Sequence, residues 1–372
     1  MQSPPHVIRQ TAVGRAFIGR SSELAELENA RRSLAQSRGS LLLLGGEAGI
    51  GKTRLLAEFL ARSKVGRARN IASAECLQHA SHPFGPVRSL VGTLLPIAPR
   101  EFFSTTSGRA LGQAVPEAAS GADAARGVPV EKAALFAALA DFFKCVAAKR
   151  ATVLSIEDLH WADPSTLEFL EYFAPRITAA RLMLICTYRS EEVESRAALL
   201  NVLAGVLREP SVRSITLQPL SSGDIRAILQ DALHSRARLP VPTIGEIERR
   251  CEGNPFFAEE LLKDAIDQPG AEGVSLPLSI RASIVQRLAL LSDDDRRILS
   301  YAAVLGRPPV GIGRWNQYHR DVRRGCVRKR RADFDARRLE HRHLGTGMCY
   351  SRYYGTIYVQ RGHLYDHCVF GG

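Results

Sequence analysis

The chain has 372 residues, 45% of them apolar, enough for two or three domains with their own cores, which excludes a fibrous or wholly disordered polymer. No apolar run reaches the ~20 residues of a membrane span, and the start Met1-Gln2-Ser3-Pro4-Pro5-His6 lacks a signal peptide's charged and apolar regions. A cytoplasmic protein with no membrane partner is therefore expected. The formal charge of +12 is uneven, because residues 307–372 carry thirteen Arg and one Lys against five acids and leave the rest nearly neutral.

Residues 1–16 read as a loose lead-in. Phe17-Ile18-Gly19-Arg20 then precedes a helix with Leu24, Leu27 and Ala30 on one face, for which Ser21 or Ser22 is the expected cap. Leu41 to Leu44 reads as a buried strand, and Leu55, Leu56, Phe59 and Leu60 repeat at helical spacing. Between them, Gly46-Glu47-Ala48-Gly49-Ile50-Gly51-Lys52-Thr53 matches the phosphate-loop pattern G-x-x-x-x-G-K-[ST], and Arg54 follows it. Its glycines allow a tight turn that aims consecutive N–H groups at a triphosphate, and the following helix adds its partial positive charge. Lys52 is expected to reach the outer phosphates and the Thr53 hydroxyl to hold Mg²⁺.

Asn70 to Cys76 has strand character, and residues 96–130, rich in Pro, Ala, Gly and Ser, read as a long surface insertion before a helix from Glu131 to Lys149. Thr152 to Ile156 is a mostly apolar strand that runs into Glu157-Asp158, as a Walker B segment requires. Glu157 is the expected metal-side acid, acting on Mg²⁺ through water, and Asp158 the expected acid that polarises the attacking water. Asp163-Pro164 reads as an N-cap and first position of a helix, and core packing is the expected role of His160 and Trp161. The strand Leu182 to Thr187 ends in Tyr188-Arg189, and Ser211 to Leu217 is a fifth strand. Strands alternating with helices imply a mainly parallel three-layer α/β sheet whose ligand lies at the strands' carboxyl ends, where Lys52, Asp158 and Arg189 emerge. Spacing alone leaves Arg189 either a sensor of the terminal phosphate or a surface arginine.

After Pro219 helical segments follow at Ser221–Leu233, Ile244–Cys251 and from Asn254, where Asn254-Pro255 supplies a cap and an N1 proline. Two more helices are expected at Ser279–Leu291 and Ser292–Leu305, the second opened by Ser292 and Asp295 at capping-box spacing. Seven cysteines without a C-x-x-C pair read as reduced thiols.

Taken together, Phe17 to Arg20, Gly45 to Arg54, Ile156 to Asp163, Thr187 to Arg189 and Gly253-Asn254-Pro255-Phe256-Phe257 resemble the AAA-type ATPase module of the STAND class. Such modules occur in large LuxR-type transcriptional regulators and in multidomain adenylate cyclases with an origin-recognition-like ATPase segment. The resemblance implies that Gly19 and Arg20 line an adenine pocket, that Arg189 senses the γ-phosphate and that Pro255 packs on the base. It implies a P-loop NTPase domain at 17–218, a helical lid at 219–270 and the start of a winged helix at 271–306. ATP and Mg²⁺ are the implied ligands, with slow regulatory hydrolysis and self-association through the ATPase domain. The residues themselves contain no motif that separates adenine from guanine. One departure is that the metal-side position, more usually Asp, is Glu157.

The pattern breaks near Arg307, where the class continues with the rest of the winged helix, helical repeats and an effector such as a DNA-binding helix-turn-helix. Residues 307–372 hold only three Leu beside six Tyr and five His. Three readings of this tail stand side by side: a nucleic-acid arm built on Arg323, Arg324, Arg328, Lys329, Arg330 and Arg331, a metal site on His363, His367 and Cys368, and an out-of-frame segment. The abrupt change in mid-domain favours the last. The expected function is then an ATP-binding switch module of a larger regulator, against a DNA-binding ATPase that grips with its tail and a non-functional truncated product.

Overall fold

The computed structural model describes residues 16–64, 70–78, 83–115, 131–193, 195–233, 241–267, 277–289, 291–293, 295, 296, 299, 300, 347–351 and 355–359. The chain divides into two compact units, Met1–Pro277 and Leu278–Gly372.

The first unit is built on a five-stranded sheet in the order β2-β3-β4-β1-β5, with β1 Ser40–Gly46, β2 Asn70–Glu75, β3 Thr152–Glu157, β4 Leu182–Arg189 and β5 Val212–Thr216. Every neighbouring pair is parallel, as the alternation of strands and helices predicts. Four consecutive leucines in β1 show why the sheet needs cover on both faces. Leu42 and Leu44 enter one core with Leu27, Leu55 and Phe59 from α1 (Ser21–Ser33) and α2 (Lys52–Lys64). Leu41 and Leu43 enter the other. There they meet α3 (Gly85–Leu94), α4 (Thr106–Ala114), α5 (Lys132–Lys149), α6 (Pro164–Phe173) and α8 (Ala197–Val206), which contribute Leu90, Phe142, Phe143, Phe169 and Phe173. The short α7 (Ser190–Val193) follows β4 directly.

Two local expectations fail. The cap of α1 is neither serine: Arg20, in the left-handed conformation at φ 60°, holds that position and makes no side-chain cap. The stretch from residue 96 is not a bare insertion, since Arg100–Ser104 forms a 3₁₀ turn and Thr105 caps α4 by accepting from the Gly108 N–H at 3.0 Å. Buried Phe102 and Leu111 hold it to the core, each worth about 1.5–3 kcal/mol. Its remainder, 116–130, lies outside the described residues, as do residues 1–15.

By contrast, Asp163 caps α6 as expected, accepting from the Thr166 N–H at 3.0 Å. Its Oδ1 also accepts from the Phe84 N–H at 3.1 Å and so fixes the loop before α3. The described cysteines Cys76, Cys145, Cys186 and Cys251 are free thiols, and burial pushes each above the usual thiol range.

Three helices complete the unit: α9 (Ser222–Leu233), α10 (Val241–Arg250) and α11 (Pro255–Asp267). They pack through Ile225, Leu229, Ile247, Ala258 and Leu261, and Arg226 grips Glu248 in a fork of 2.6 and 2.8 Å. Gly253 makes the turn into α11 at φ +77°, where a Cβ would lie 2.5 Å from the Leu220 carbonyl.

In the second unit, α12 (Leu278–Ala289) leaves Leu278 and Val285 exposed, whereas Ile284 and Leu288 share a half-covered stripe with buried Ile280. Ser292 accepts from the Asp295 N–H at 3.2 Å, as the spacing predicts. Within the basic segment β6 (Gly347–Ser351) and β7 (Gly355–Val359) pair antiparallel. The arginine run 323–331 and His363, His367 and Cys368 lie outside the described residues.

Candidate functional site

The carboxyl ends of β1, β3 and β4 bring the singled-out residues together. β4 runs between β1 and β3, and its last residue, Arg189, registers with Gly46. The arginine thus sits between the phosphate loop and the acids. The loop leaves β1 through Gly46 and closes at Lys52, the first residue of α2. Gly49 stands at φ +78°, and an added Cβ there would lie 2.8 Å from Phe256 and 2.9 Å from Asn254. Only glycine meets both demands, the backbone angle and the approach of the lid.

Lys52 is buried, and its ammonium donates to the Gly46 and Glu47 carbonyls at 2.7 and 2.8 Å. Arg20 reaches the same loop by donating to the Ile50 carbonyl at 3.3 Å, while its other nitrogen pairs with Glu23 at 3.0 Å. Arg54 lies over the Phe17 ring at 6.0 Å and ties the Phe17 to Arg20 segment to α2. Gly19 faces Leu220 and Asp224 at the start of the lid. A cavity of about 530 Å³ opens beside it, lined among others by Phe17, Gly19, Leu24, Arg62 and Asp224. The loop Gly46–Thr53 does not line this cavity.

The start of α11 meets the loop directly. Asn254 accepts through Oδ1 from the Phe256 and Phe257 N–H groups at 3.1 and 3.4 Å, the expected cap, and donates through Nδ2 to the Ala48 carbonyl at 3.0 Å. Pro255 stands over Gly51, its Cγ 3.9 Å from where a Cβ would be.

On the acid side, the Thr53 hydroxyl lies near enough to the Glu157 carboxylate to favour its charged form, so the two expected metal-side groups are neighbours. Burial, together with the charges of Asp158 and Glu75, pushes Glu157 up to about 7 despite that neighbour. A divalent cation would relieve this strain, and the donor set of one hydroxyl and one carboxylate suits a magnesium ion that keeps most of its water. Among the described residues no group of three or more His, Cys, Asp and Glu forms a separate metal cluster. Asp158 adopts the left-handed conformation at φ 59°, and its N–H donates to the buried Thr187 hydroxyl at 3.0 Å. Burial raises its carboxyl, and the positive charges of Arg189 and Lys52 counter the shift.

Arg189 is not a plain surface arginine. It stacks on Trp161 at 5.1 Å and donates to Glu192 at 3.2 Å, and Arg196 reaches the same carboxylate at 3.4 Å. His160 is buried as expected of a packing residue, yet neither ring nitrogen has a hydrogen-bond partner among the described residues. The nitrogens face Asp158 at 3.9 Å and Glu192 at 3.7 Å. These are not ion pairs: burial and the nearby Arg189, Lys52 and Arg196 charges hold the imidazole neutral, its pKa lowered to about 3.

Sequence reasoning missed Glu75, Glu191 and Glu192, and gave Thr187 no role of its own. Glu75 becomes a neighbour only through its register with Glu157 across β2 and β3, and Thr187 only by facing the β3 end. Glu191 accepts from the Ala48 N–H at 2.8 Å across 143 positions of chain.

Residues 16–185 match the AAA ATPase domain family. This segment is similar to AAA ATPase domains. The match begins at the segment that precedes α1 and ends within β4, so it takes in the phosphate loop and the acid pair while Arg189 and the lid lie just beyond it. A relative, an uncharacterized protein of Rhizobium meliloti (strain 1021), is 25% identical over 278 residues, covering 67% of this chain. The chain spans only 25% of that relative's length. Among solved structures, the chain is similar to the Walker-type ATPase of Pyrococcus abyssi at 17% identity and a TM-score of 0.47, over 78% of this chain and 79% of that one. Cdc6p of Pyrobaculum aerophilum is similar at 15% identity and a TM-score of 0.45, over 77% and 72%. A STAND protein with a tetratricopeptide repeat sensor from Pyrococcus horikoshii is similar at 15% identity and a TM-score of 0.41, over 81% and 36%. No helix among the described residues is long and apolar enough to cross a membrane.

Proposed function

We propose that the chain binds ATP with Mg²⁺ at the carboxyl ends of β1, β3 and β4, hydrolyses it slowly and uses the nucleotide state to set the lid. The observation that carries this reading is the strand order, because β4 lies between β1 and β3 with Arg189 in register with Gly46 and so brings the phosphate loop, the acid pair and an arginine to one edge of the sheet. Lys52 gives up the Gly46 and Glu47 carbonyls to the outer phosphates, and the loop N–H groups hold the remainder. The bound magnesium supplies charge neutralisation to the phosphates, with Thr53 on the ion and Glu157 on its water shell. Asp158, more basic than an exposed carboxylate, accepts a proton from the attacking water, and Arg189 meets the terminal phosphate. Gly19 and Arg20 border the base, with Pro255 packing on it from the lid.

The switch element is the lid, because Asn254 bonds the loop itself and any change at Ala48 is felt at the start of α11. We place the module in signalling or transcriptional control of the kind found in large LuxR-type regulators and cyclases, with self-association through the AAA domain. Calorimetric titration of the intact chain with ATP, in Mg²⁺ and in EDTA, tests the reading. Binding that requires Mg²⁺ is expected, and no heat in either condition refutes it.

A further inference from the structure

The two acids of α7 occupy two of the groups that the proposed site offers a terminal phosphate beside Lys52. Glu191 takes the N–H of Ala48 in the phosphate loop at 2.8 Å, and Glu192 takes the guanidinium of Arg189 at 3.2 Å. An anion on a phosphate-loop N–H is chemically what a phosphate oxygen is there. The remaining oxygen of Glu191 is buried without a hydrogen-bond partner among the described residues, which costs energy that surface solvation would avoid. Glu192 is itself buried and shared with Arg196, so Arg189 has a standing competitor for any incoming phosphate. Both acids ride on one four-residue helix that begins where β4 ends.

We infer that Glu191 and Glu192 together are an internal stand-in for the terminal phosphate, holding the Ala48 N–H and Arg189 until a triphosphate takes both, and so make α7 the element that separates ATP from ADP. A diphosphate lacks the group that would claim Arg189 and leaves the Glu192 pair in place. A triphosphate claims both partners, and its negative charge repels both carboxylates from positions it now fills. The displacement then acts on two bodies at once, since Ala48, whose N–H Glu191 releases, also holds Asn254 of the lid through its carbonyl.

This inference rests on the nucleotide reading, and the test separates the two. Glu191→Gln keeps the shape and one acceptor but removes the charge, so the affinity for a non-hydrolysable ATP analogue should rise about tenfold while that for ADP changes less than threefold. Equal gains for both nucleotides, no gain, or weaker ATP binding by a variant that melts like the parent overturns the stand-in and leaves the nucleotide reading intact. Parent and variant both failing to bind any nucleotide overturns the two together. Hydrogen exchange on the unaltered chain gives a second reading that no folding defect can confuse: amides 190–193 should change protection with the ATP analogue and not with ADP. Identical exchange in the two nucleotides overturns the inference.

Discussion

The two sides of the crevice differ in how well their polar groups are satisfied. On the β1 side the loop closes on itself: Lys52 has two carbonyls, Arg20 has a third and Asn254 a fourth, so the conformation persists without ligand. On the β3 side Glu157 is forced toward neutrality, Asp158 is held in a left-handed turn, and His160 faces two carboxylates with no hydrogen bond to either. A binding surface can be completed by its own backbone, because dipoles substitute for the ligand. A constellation proposed to hold a cation and polarise water cannot, because its charges are too close for protein dipoles alone to balance. The comparison predicts that variants of the loop change affinity and variants of the acid side change turnover and pH behaviour.

The largest effect is expected from Lys52→Ala. It removes the ammonium that two carbonyls now hold ready, and MgATP affinity should fall about a hundredfold or more, since hydrogen bonds to charged groups are each worth about 1.5–3 kcal/mol. Calorimetry on both proteins decides it, and unchanged affinity breaks the assignment of the β1 side. Next come the acids. Asp158→Asn should bind MgATP as the parent does yet lose about a hundredfold or more in turnover, whereas Glu157→Gln should also raise the Mg²⁺ concentration needed for binding. Parent-like hydrolysis in both would show that the acid side does no chemistry.

Much of the β1 side was legible because its determinants are local. The glycines, the lysine and the flanking strand and helix lie within one short stretch, and backbone angles such as that of Gly49 follow from composition. The acids at 157 and 158 and the arginine at 189 were legible for the same reason, as ends of apolar strands. What stayed hidden depends on register and on loops meeting across the chain. Asn254 shows its cap role in the dipeptide Asn-Pro, but its bond to Ala48 spans 206 positions. Glu191 and Glu192 carry no motif of their own, and only the fold aims them at Ala48 and Arg189. Composition misled at residues 96–115, where small residues surround Phe102 and Leu111 and conceal a packed segment.

A smaller effect separates the two jobs of Asn254. Asn254→Ala loses the cap and the bond to the loop and should cost about 1–2 kcal/mol of stability in urea unfolding. Asn254→Asp keeps the cap acceptors but replaces the donor to the Ala48 carbonyl with a negative charge. It should therefore retain stability within about 0.5 kcal/mol while weakening ATP binding severalfold. Equal nucleotide affinity in the parent and the aspartate variant would mean that the lid does not read the loop.

The smallest net effect is carried by pH, because two opposing groups nearly cancel in the parent, and it exposes the unsatisfied side most directly. Glu157 titrates near 7 in the native chain against an ordinary value of 4.5, so the folded state holds a proton that the unfolded state has released. Its contribution to stability is full below 4.5 and is lost as the pH rises through 7. His160 runs the other way: lowered to about 3 from 6.5, it contributes fully above 6.5 and loses that contribution as the pH falls through 3. Between 4.5 and 6.5 the two oppose each other, each with a slope of up to about 1.4 kcal/mol per pH unit. Urea unfolding of the parent, Glu157→Gln and His160→Gln without nucleotide or Mg²⁺ measures them as difference curves, in which the other titrating groups cancel. Relative to the parent, Glu157→Gln should gain stability with rising pH across that window, and His160→Gln should lose it. Added Mg²⁺ should hold Glu157 ionised and make the parent follow the Glu157→Gln curve. Difference curves that are flat in both variants would show that the β3 side is as well satisfied as the phosphate loop, and the contrast between the two sides would fall.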